Sequence, residues 1–532
     1  MLPKAGVPPL YASMTEPVVP AEPSPVSFVP VGETLRERSE QSWRGDRWPR
    51  QDLLWLLAVT AIAGGLRLWH MEQWSLSVAE AETWRGATES LGGREGFFAS
   101  GRSNYPLVFL CLRWLINVGA LPFSGEGWLR LPFAFFGILS VPLLALVGDL
   151  FVGRRAALLA ATLFAVHPWH VQLSQTASPR VVALFFAIFA AGTAVVALRM
   201  RDRWAGVFTI ALWLLAVGCD PSGWLALLSL GLAMGWHSAM GMAKARRLVL
   251  TLVVAVPLFL PAVVVWLQGA APMAVLVPWR ASGAFLEAFR PPILLLALVG
   301  LLLCRGSRLV HGLLAALAFP IGAALLVAGL TGLVDAGLAL PALPAAILLA
   351  SVAAQRACEL VNEAMGVGRA RFLRLPGSLF GIVCGLDLAV STYLYTTVEH
   401  GQRAEWRTAR DVVRREAGQE PDLWVVAGRG FECLSYYLRP NHWRDLKIDA
   451  HPGRNLVPIA SGGLASSIEP LREQAGAQLF VVLSRGELDA IDAVPADRAA
   501  LATFHVVGVL PGAFSSPADT LYVYRAPASR AR

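Results

Sequence analysis

Charge is scarce in this 532-residue chain: 15% of its residues are Asp, Glu, Lys or Arg, while 55% are hydrophobic, and the mean hydropathy is +0.55. That composition excludes a soluble domain as the bulk of the protein and places most of the length in lipid. Cysteine is sparse as well. The six cysteines (Cys111, Cys219, Cys304, Cys358, Cys384 and Cys433) are scattered, and only Cys433 falls in the polar tail, which excludes a disulfide framework and a zinc site. The formal charge of +8 resides mostly in arginines of short segments between apolar runs. This is a topology signal, not a nucleic-acid patch, so nucleic acid is not an expected partner. No internal repeat is found.

What is present is a succession of apolar runs. Candidates for crossing a bilayer lie near 53–69, 105–121, 131–151, 156–168, 181–198, 205–218, 223–241, 248–267, 291–304, 309–329, 338–355 and 377–397, twelve in all. Residues 1–35 are Pro-rich and too poor in core formers to fold, so disorder is expected there. Arg36, Arg38, Arg44, Arg47 and Arg50 then hold this end in the cytoplasm. The segment before the first run does not resemble a cleaved signal peptide, and the run at 53–69 is expected to stay attached as a signal anchor.

Basic clusters at Arg154/Arg155, Arg199/Arg201/Arg203, Lys244/Arg246/Arg247, Arg305/Arg308 and Arg356/Arg369/Arg371/Arg374 recur in every second loop. They share a side with the N-terminal arginines only if one early run fails to cross. The weakest is "YPLVFLCLRWLINVGAL", with a proline near its start and Arg113 at its middle, where a lipid-facing charge costs roughly 2.5–3.5 kcal/mol. Residues 105–121 are therefore read as a helix in or dipping into the outer leaflet. Eleven crossings remain, with a long first external loop over 71–130 and an extracytoplasmic C-terminus.

The expected organisation is a cytoplasmic tail over 1–50, a membrane domain over 51–397 and a small α/β domain over 398–532; the fold class is mainly α. In the tail, "QRAEWRTARDVVRREAG" and "SSIEPLREQAGA" have helical spacing, while "DLWVVAG", "QLFVVLS", "FHVVGVL" and "TLYVYRA" read as strands. It contains no glycine-rich phosphate loop and no catalytic triad pattern, so it is assigned a packing or acceptor-side role.

The stretch "SLSVAEAETWRGA" (75–87) places two glutamates in the first external loop. On a helix over 78–91, Ala81, Trp84, Ala87 and Leu91 form an apolar stripe, and Glu82, Arg85 and Glu89 share the opposite face. Those three read as a solvated face with an i,i+3 ion pair. Glu80 falls on the apolar stripe, where a carboxylate needs a partner or a task.

These residues carry a resemblance. "LRLWHMEQWSLSVAEAETWRGA" resembles the first external loop of the GT-C membrane glycosyltransferases, "NYPLVFLCLRWL" is similar to their His-x-Pro-Leu helix, and "GEGWLRLPFAFFGILSVPLLALVGDLFVGRRAALLAATLFAVHPWHVQLSQTASPR" is similar to the stretch that ends in Ser-Gln-Glu-Ala-Arg. "LALPALPAAILLA" looks like the later double-proline span. The similarity is clear over 60–200 and looser over 200–440, and it points to bacterial members similar to protein O-mannosyltransferases and lipid A aminoarabinose transferases. It implies a multi-pass protein of the cytoplasmic membrane that moves a sugar from a polyprenyl-phosphate donor to a glycan, lipid or protein acceptor on the outer face, with inversion, a loop carboxylate acting as base.

Under that resemblance Glu80 or Glu82 is the catalytic base, and Arg85, Arg102, Asn104, Arg130, Gln175 and Arg180 are substrate-binding candidates, the basic and amide groups meeting the leaving phosphate. No cofactor is called for, with a divalent metal left open. The departures are specific: Ala79 stands where the family carries Asp, Asn104 where it carries His, Thr176 and Ser178 where it carries Glu and Arg, and "VDAGLALPALP" lacks the preceding Arg-Tyr. Two alternatives follow: a catalytically impaired scaffold in envelope glycan assembly, and a transporter, for which no inverted repeat is seen. His167 and His170 read as an interfacial hydrogen-bonded pair or a metal site, Asp220 as a helix cap, and Asp387 as an intramembrane acid facing protein.

Overall fold

A computed structural model describes residues 48–69, 71–88, 104–118, 126–228, 286–303 (without 287), 316–317, 320–324, 336–365, 385–393 (without 388 and 392), 404–418, 423–438 (without 429), 454–474 (without 461), 478–512 and 519–527. The N-terminal tail, the run at 248–267 and most of those at 223–241, 309–329 and 377–397 lie outside the described residues, as do Arg102 and Glu89.

The membrane part is helical: α1 (Arg50–Leu68), α2 (Val78–Thr88), α3 (Leu107–Asn117), α4 (Glu126–Val152), α5 (Arg154–Val166), α6 (Pro168–Ser174), α7 (Pro179–Met200), α8 (Arg203–Cys219), α9 (Pro291–Leu303), and α10 (Leu343–Met365) after a 3-10 turn at Ala336–Ala342. Among the described residues, four helical stretches are long and apolar enough to cross a membrane, namely α1, α4, α7 and Gly337–Glu359. The number becomes five if α5 and α6, bent by 59° at their junction, count as one. The chain is a multi-pass membrane protein. Helix α3 has eleven residues, about 16 Å at 1.5 Å per residue and short of the roughly 20 residues a span needs.

The break between α5 and α6 has a local cause. Pro168 lacks an N–H and pushes the residue before it out of helical geometry, and His167 has φ −64°, ψ 117°. Carbonyls freed at the end of α5 are taken by Arg67, the last basic residue of α1. It is fully buried, donates to Ala165 O at 2.9 Å and Phe164 O at 3.4 Å, and lies 2.6 Å from His170 Nδ1. His170 is stacked on Phe164 with ring centroids 3.9 Å apart. Among the described residues no three His, Cys, Asp or Glu side chains gather as a metal site would.

The tail forms α11 (Trp406–Ala417), β1 (Leu423–Ala427), α12 (Phe431–Leu438), β2 (Arg454–Pro458), α13 (Leu464–Gln474), β3 (Leu479–Ser484), α14 (Arg485–Asp492), α15 (Pro495–Leu501), β4 (His505–Leu510) and β5 (Leu521–Arg525). The sheet order is β2-β1-β3-β5-β4. Strand β1 runs parallel to β2 and β3, and β5 antiparallel to β3 and β4. The four strands read from apolar runs are present. Strand β2 carries Pro458 and lies at an edge, the place where a sheet tolerates proline.

Two expectations are corrected. Asp387, expected to face protein, is exposed. Arg85 pairs with Glu432 of α12 and not with Glu82 one turn away, because an i,i+3 pair in solvent is worth only a few tenths of a kcal/mol, while Glu432 offers a carboxylate only 13% exposed.

Candidate functional site

The loop that follows α1 leads into α2 with a capping box. Ser77 Oγ accepts from Glu80 N at 3.3 Å, and Glu80 Oε2 accepts from Ser77 N at 2.8 Å, so two N–H groups at the helix start are satisfied reciprocally. Position 80 then falls among Ala81, Trp84 and Ala87, all buried, and Glu80 is 1% exposed.

Its charge is met by Arg130, from the first turn of α4. Arg130 Nε donates to Glu80 Oε1 at 2.7 Å and Nη2 to Oε2 at 3.1 Å, the bidentate fork that makes Arg–carboxylate pairs strong. Ala177 N adds a bond to Oε1 at 3.1 Å, so each oxygen accepts twice. The other Arg130 donors hold the loop: Nη1 bonds to Met71 O and to Trp74 O at 3.1 Å, and Nη2 to Ser75 O at 3.1 Å. All five N–H groups of a fully buried guanidinium are thereby used.

A second arginine comes from the tail domain. Arg407 of α11 donates through Nη2 and Nε to Glu126 Oε1 at 2.7 and 3.2 Å, and through Nη2 to Glu72 O at 3.0 Å. Burial disfavours the Arg407 cation, but the hydrogen bond and attraction to Glu126 outweigh it and hold the group above its ordinary value. Tyr437 Oη donates to Glu126 Oε1 at 2.7 Å and accepts from Leu76 N at 2.8 Å. Burial, with Glu126 beside it, pushes this phenol well above its usual value, so it keeps its proton. Trp84 meets Tyr436 edge to face at 5.4 Å. Burial, with Glu80 and Glu82 adding, raises the Cys433 thiol, whose Sγ lies 3.7 Å from Leu76 O. The tail domain is thus bonded to the loop that carries the glutamates.

No family model matches the chain, and no curated protein matches it in sequence. Its structure is similar to the crystal structure of ArnT from Cupriavidus metallidurans in the apo state, with TM-score 0.53, 15% identity, and coverage of 88% of this chain and 97% of that one. It is also similar to the archaeal oligosaccharyltransferase AglB from Archaeoglobus fulgidus, solved in complex with an inhibitory peptide and a dolichol-phosphate, with TM-score 0.50, 13% identity, and coverage of 83% and 70%. The chain has the GT-C fold.

Within this GT-C frame the sequence-predicted residues separate. Glu80 and Arg130 come together. Ala79 and Glu82 are exposed on α2. The Gln175 amide donates to Leu66 O at 2.7 Å and Trp69 O at 3.0 Å, closing the end of α1. Arg180, part-exposed at the start of α7, has Nε 3.8 Å from Asp220 Oδ2. Asp220 also caps the following helical turns through Ser222 N at 2.9 Å. Asn104 is exposed just before α3, and Arg102 lies outside the described residues.

Sequence reasoning missed Glu72, Glu126, Glu432, Arg407 and Tyr437. Only the S-x-x-E pattern at Ser77–Glu80 could have been found locally; the bonds from Glu126 to Arg407 and Tyr437 span 281 and 311 residues of chain.

An open cleft of about 530 Å³ adjoins the loop, between Leu68 at the end of α1 and Gly127, Trp128 and Leu131 at the start of α4, with Glu72 and Gln73 on its rim. Replacing Tyr437 by Phe leaves the Leu76 N–H without its acceptor, at an expected cost of about 1–3 kcal/mol. The check is amide exchange at Leu76, expected to speed up at least tenfold; unchanged exchange would show that the phenol does not hold the loop.

Proposed function

We propose that the chain is a glycosyltransferase of the cytoplasmic membrane that moves a sugar from a polyprenyl-phosphate donor to an acceptor at the outer face, with inversion at the anomeric carbon. The observation that carries this reading is loop 71–77, whose carbonyls are held by Arg130 and Arg407 and which borders a cleft between the ends of two membrane-crossing helices. At such a place a lipid-borne donor and a water-side acceptor meet, and a fixed loop keeps reacting groups in register. The likeness to ArnT along nearly the whole of both chains supports the same reading. Arg130 and Gln175 are engaged in holding the loop and the end of α1; Arg180, part-exposed at a helix start and 3.8 Å from Asp220, is assigned to the donor phosphate.

A second reading, a non-catalytic partner in envelope glycan assembly, is favoured by one observation: Ala79, where the family carries its acid, is exposed and Glu80 is fully engaged. Deleting the chain from its host and analysing lipid extracts separates the two. If it is a transferase, one polyprenyl-phosphate-linked sugar accumulates and re-expression removes it. An unchanged lipid-linked sugar pool would overturn the transferase reading.

A further inference from the structure

Transfer to an acceptor hydroxyl requires a base that faces open space, and the three acids described between residues 71 and 88 differ sharply in this. Glu80 is shut away, with two hydrogen bonds on each carboxylate oxygen, two of the four from a buried guanidinium. A carboxylate so stabilised as the anion is a poor proton acceptor and has no room for a substrate. Glu82 is exposed on α2 and does not line the cleft. Glu72 is exposed and lines it.

We infer that Glu72 is the catalytic base of this chain, taking the proton of an acceptor hydroxyl bound in the cleft. The inference rests on the transferase reading and deepens it. The seat of Glu72 is built: its side chain lies against the α4 backbone at Gly127, where an added Cβ would come 2.5 Å from Glu72 Cγ and 2.9 Å from Oε1. A side chain at position 127 would require Glu72 to shift. The flanking backbone is fixed as well, because the carbonyls of Met71, Trp74 and Ser75 are taken by Arg130 and that of Glu72 by Arg407. A base on so constrained a loop is pre-positioned.

The lining identifies the acceptor class. Trp128, Gln73, Leu68 and Leu131 line the cleft, an aromatic, amide and aliphatic lining of the kind that suits a sugar ring with its hydroxyls. Glu72 itself repels a phosphate, so the cleft takes the hydroxyl partner and not the donor's phosphate. The fitting acceptor is a sugar hydroxyl of a lipid-borne glycan. In the step, the acceptor O–H proton passes to the Glu72 carboxylate while the acceptor oxygen forms its bond to the anomeric carbon. The bond from that carbon to the phosphate oxygen breaks, its electron pair leaving with polyprenyl phosphate; Glu72 afterwards returns the proton to water.

The test re-expresses variants in the deleted host and follows removal of the accumulated lipid-linked sugar. Glu72→Gln is expected to slow removal at least about 100-fold, and Glu72→Asp to recover part of it. As a second readout, binding of undecaprenyl phosphate to the purified, detergent-solubilised Glu72→Gln chain is expected within about twofold of wild type. If wild type removes the sugar and Glu72→Gln removes it as fast, Glu72 is not the base while the transferase reading stands. If wild type removes nothing, the transferase reading itself has failed. If Glu72→Gln loses undecaprenyl phosphate binding in proportion to its lost transfer, the residue serves the donor and the assignment is overturned.

Discussion

Glu80→Ala is expected to lower stability by about 3–5 kcal/mol, because it strands the Arg130 guanidinium without its counter-charge in a site with no measurable solvent exposure. The loss includes the capping bond to Ser77 N and the bond from Ala177 N, each of the order of 1 kcal/mol. The double variant Glu80→Met/Arg130→Leu is expected to be less damaging. Removing both charges together avoids the uncompensated ion, and such replacements of buried pairs are often close to neutral. Here recovery is expected to be partial, since Arg130 also satisfies the carbonyls of Met71, Trp74 and Ser75. Unfolding of the detergent-solubilised chain measures both. A Glu80→Ala protein that melts with wild type would mean that the pair does not hold the loop.

The second large effect lies in the membrane part. Gly300 of α9 faces the backbone of α10: a Cβ built there would run into Leu349 O, with Leu349 C at 2.8 Å. A backbone carbonyl cannot swing aside as the tip of a side chain can, so any substituent pushes the two helices apart. Small residues at such crossings let membrane helices approach closely, and dispersion contacts there supply much of the association. Gly300→Ala is expected to cost about 1–3 kcal/mol and Gly300→Val more. Thermal unfolding of the two variants, in that order of severity, is the check. A Val variant as stable as wild type would show that the crossing is looser than the close approach of α9 and α10 implies.

How legible the site was depends on distance along the chain. The helical wheel placed Glu80 with Ala81, Trp84 and Ala87, and all four are buried, because burial of one helix face follows from the 3.6-residue period alone. That Arg130, fifty residues on, would be the partner has no local signal; Arg85, Arg102 and Arg180 were equally available. The Glu82–Arg85 pair was a local expectation and was outcompeted by Glu432, 347 residues from Arg85. In the tail, β1, β3, β4 and β5 announce themselves as apolar runs. Strand β2 contains Arg454, Asn455 and Pro458, and α12, α14 and α15 have only seven or eight residues each, too few turns for a period to emerge.

Composition and periodicity by themselves determined that this is a multi-pass helical membrane protein with a small α/β tail, since the cost of placing polar backbone or charge in lipid leaves few other ways to fold so apolar a chain. The order of its motifs pointed to the GT-C fold. Only the tertiary structure decided which cation neutralises Glu80 and which acid lines the cleft, and that the tail domain is fastened to the first loop through Arg407, Tyr437 and Glu432. Those outcomes depend on charges and hydrogen-bond donors brought together from distant segments, and the free energy of such a contact depends on burial that only the assembled fold creates.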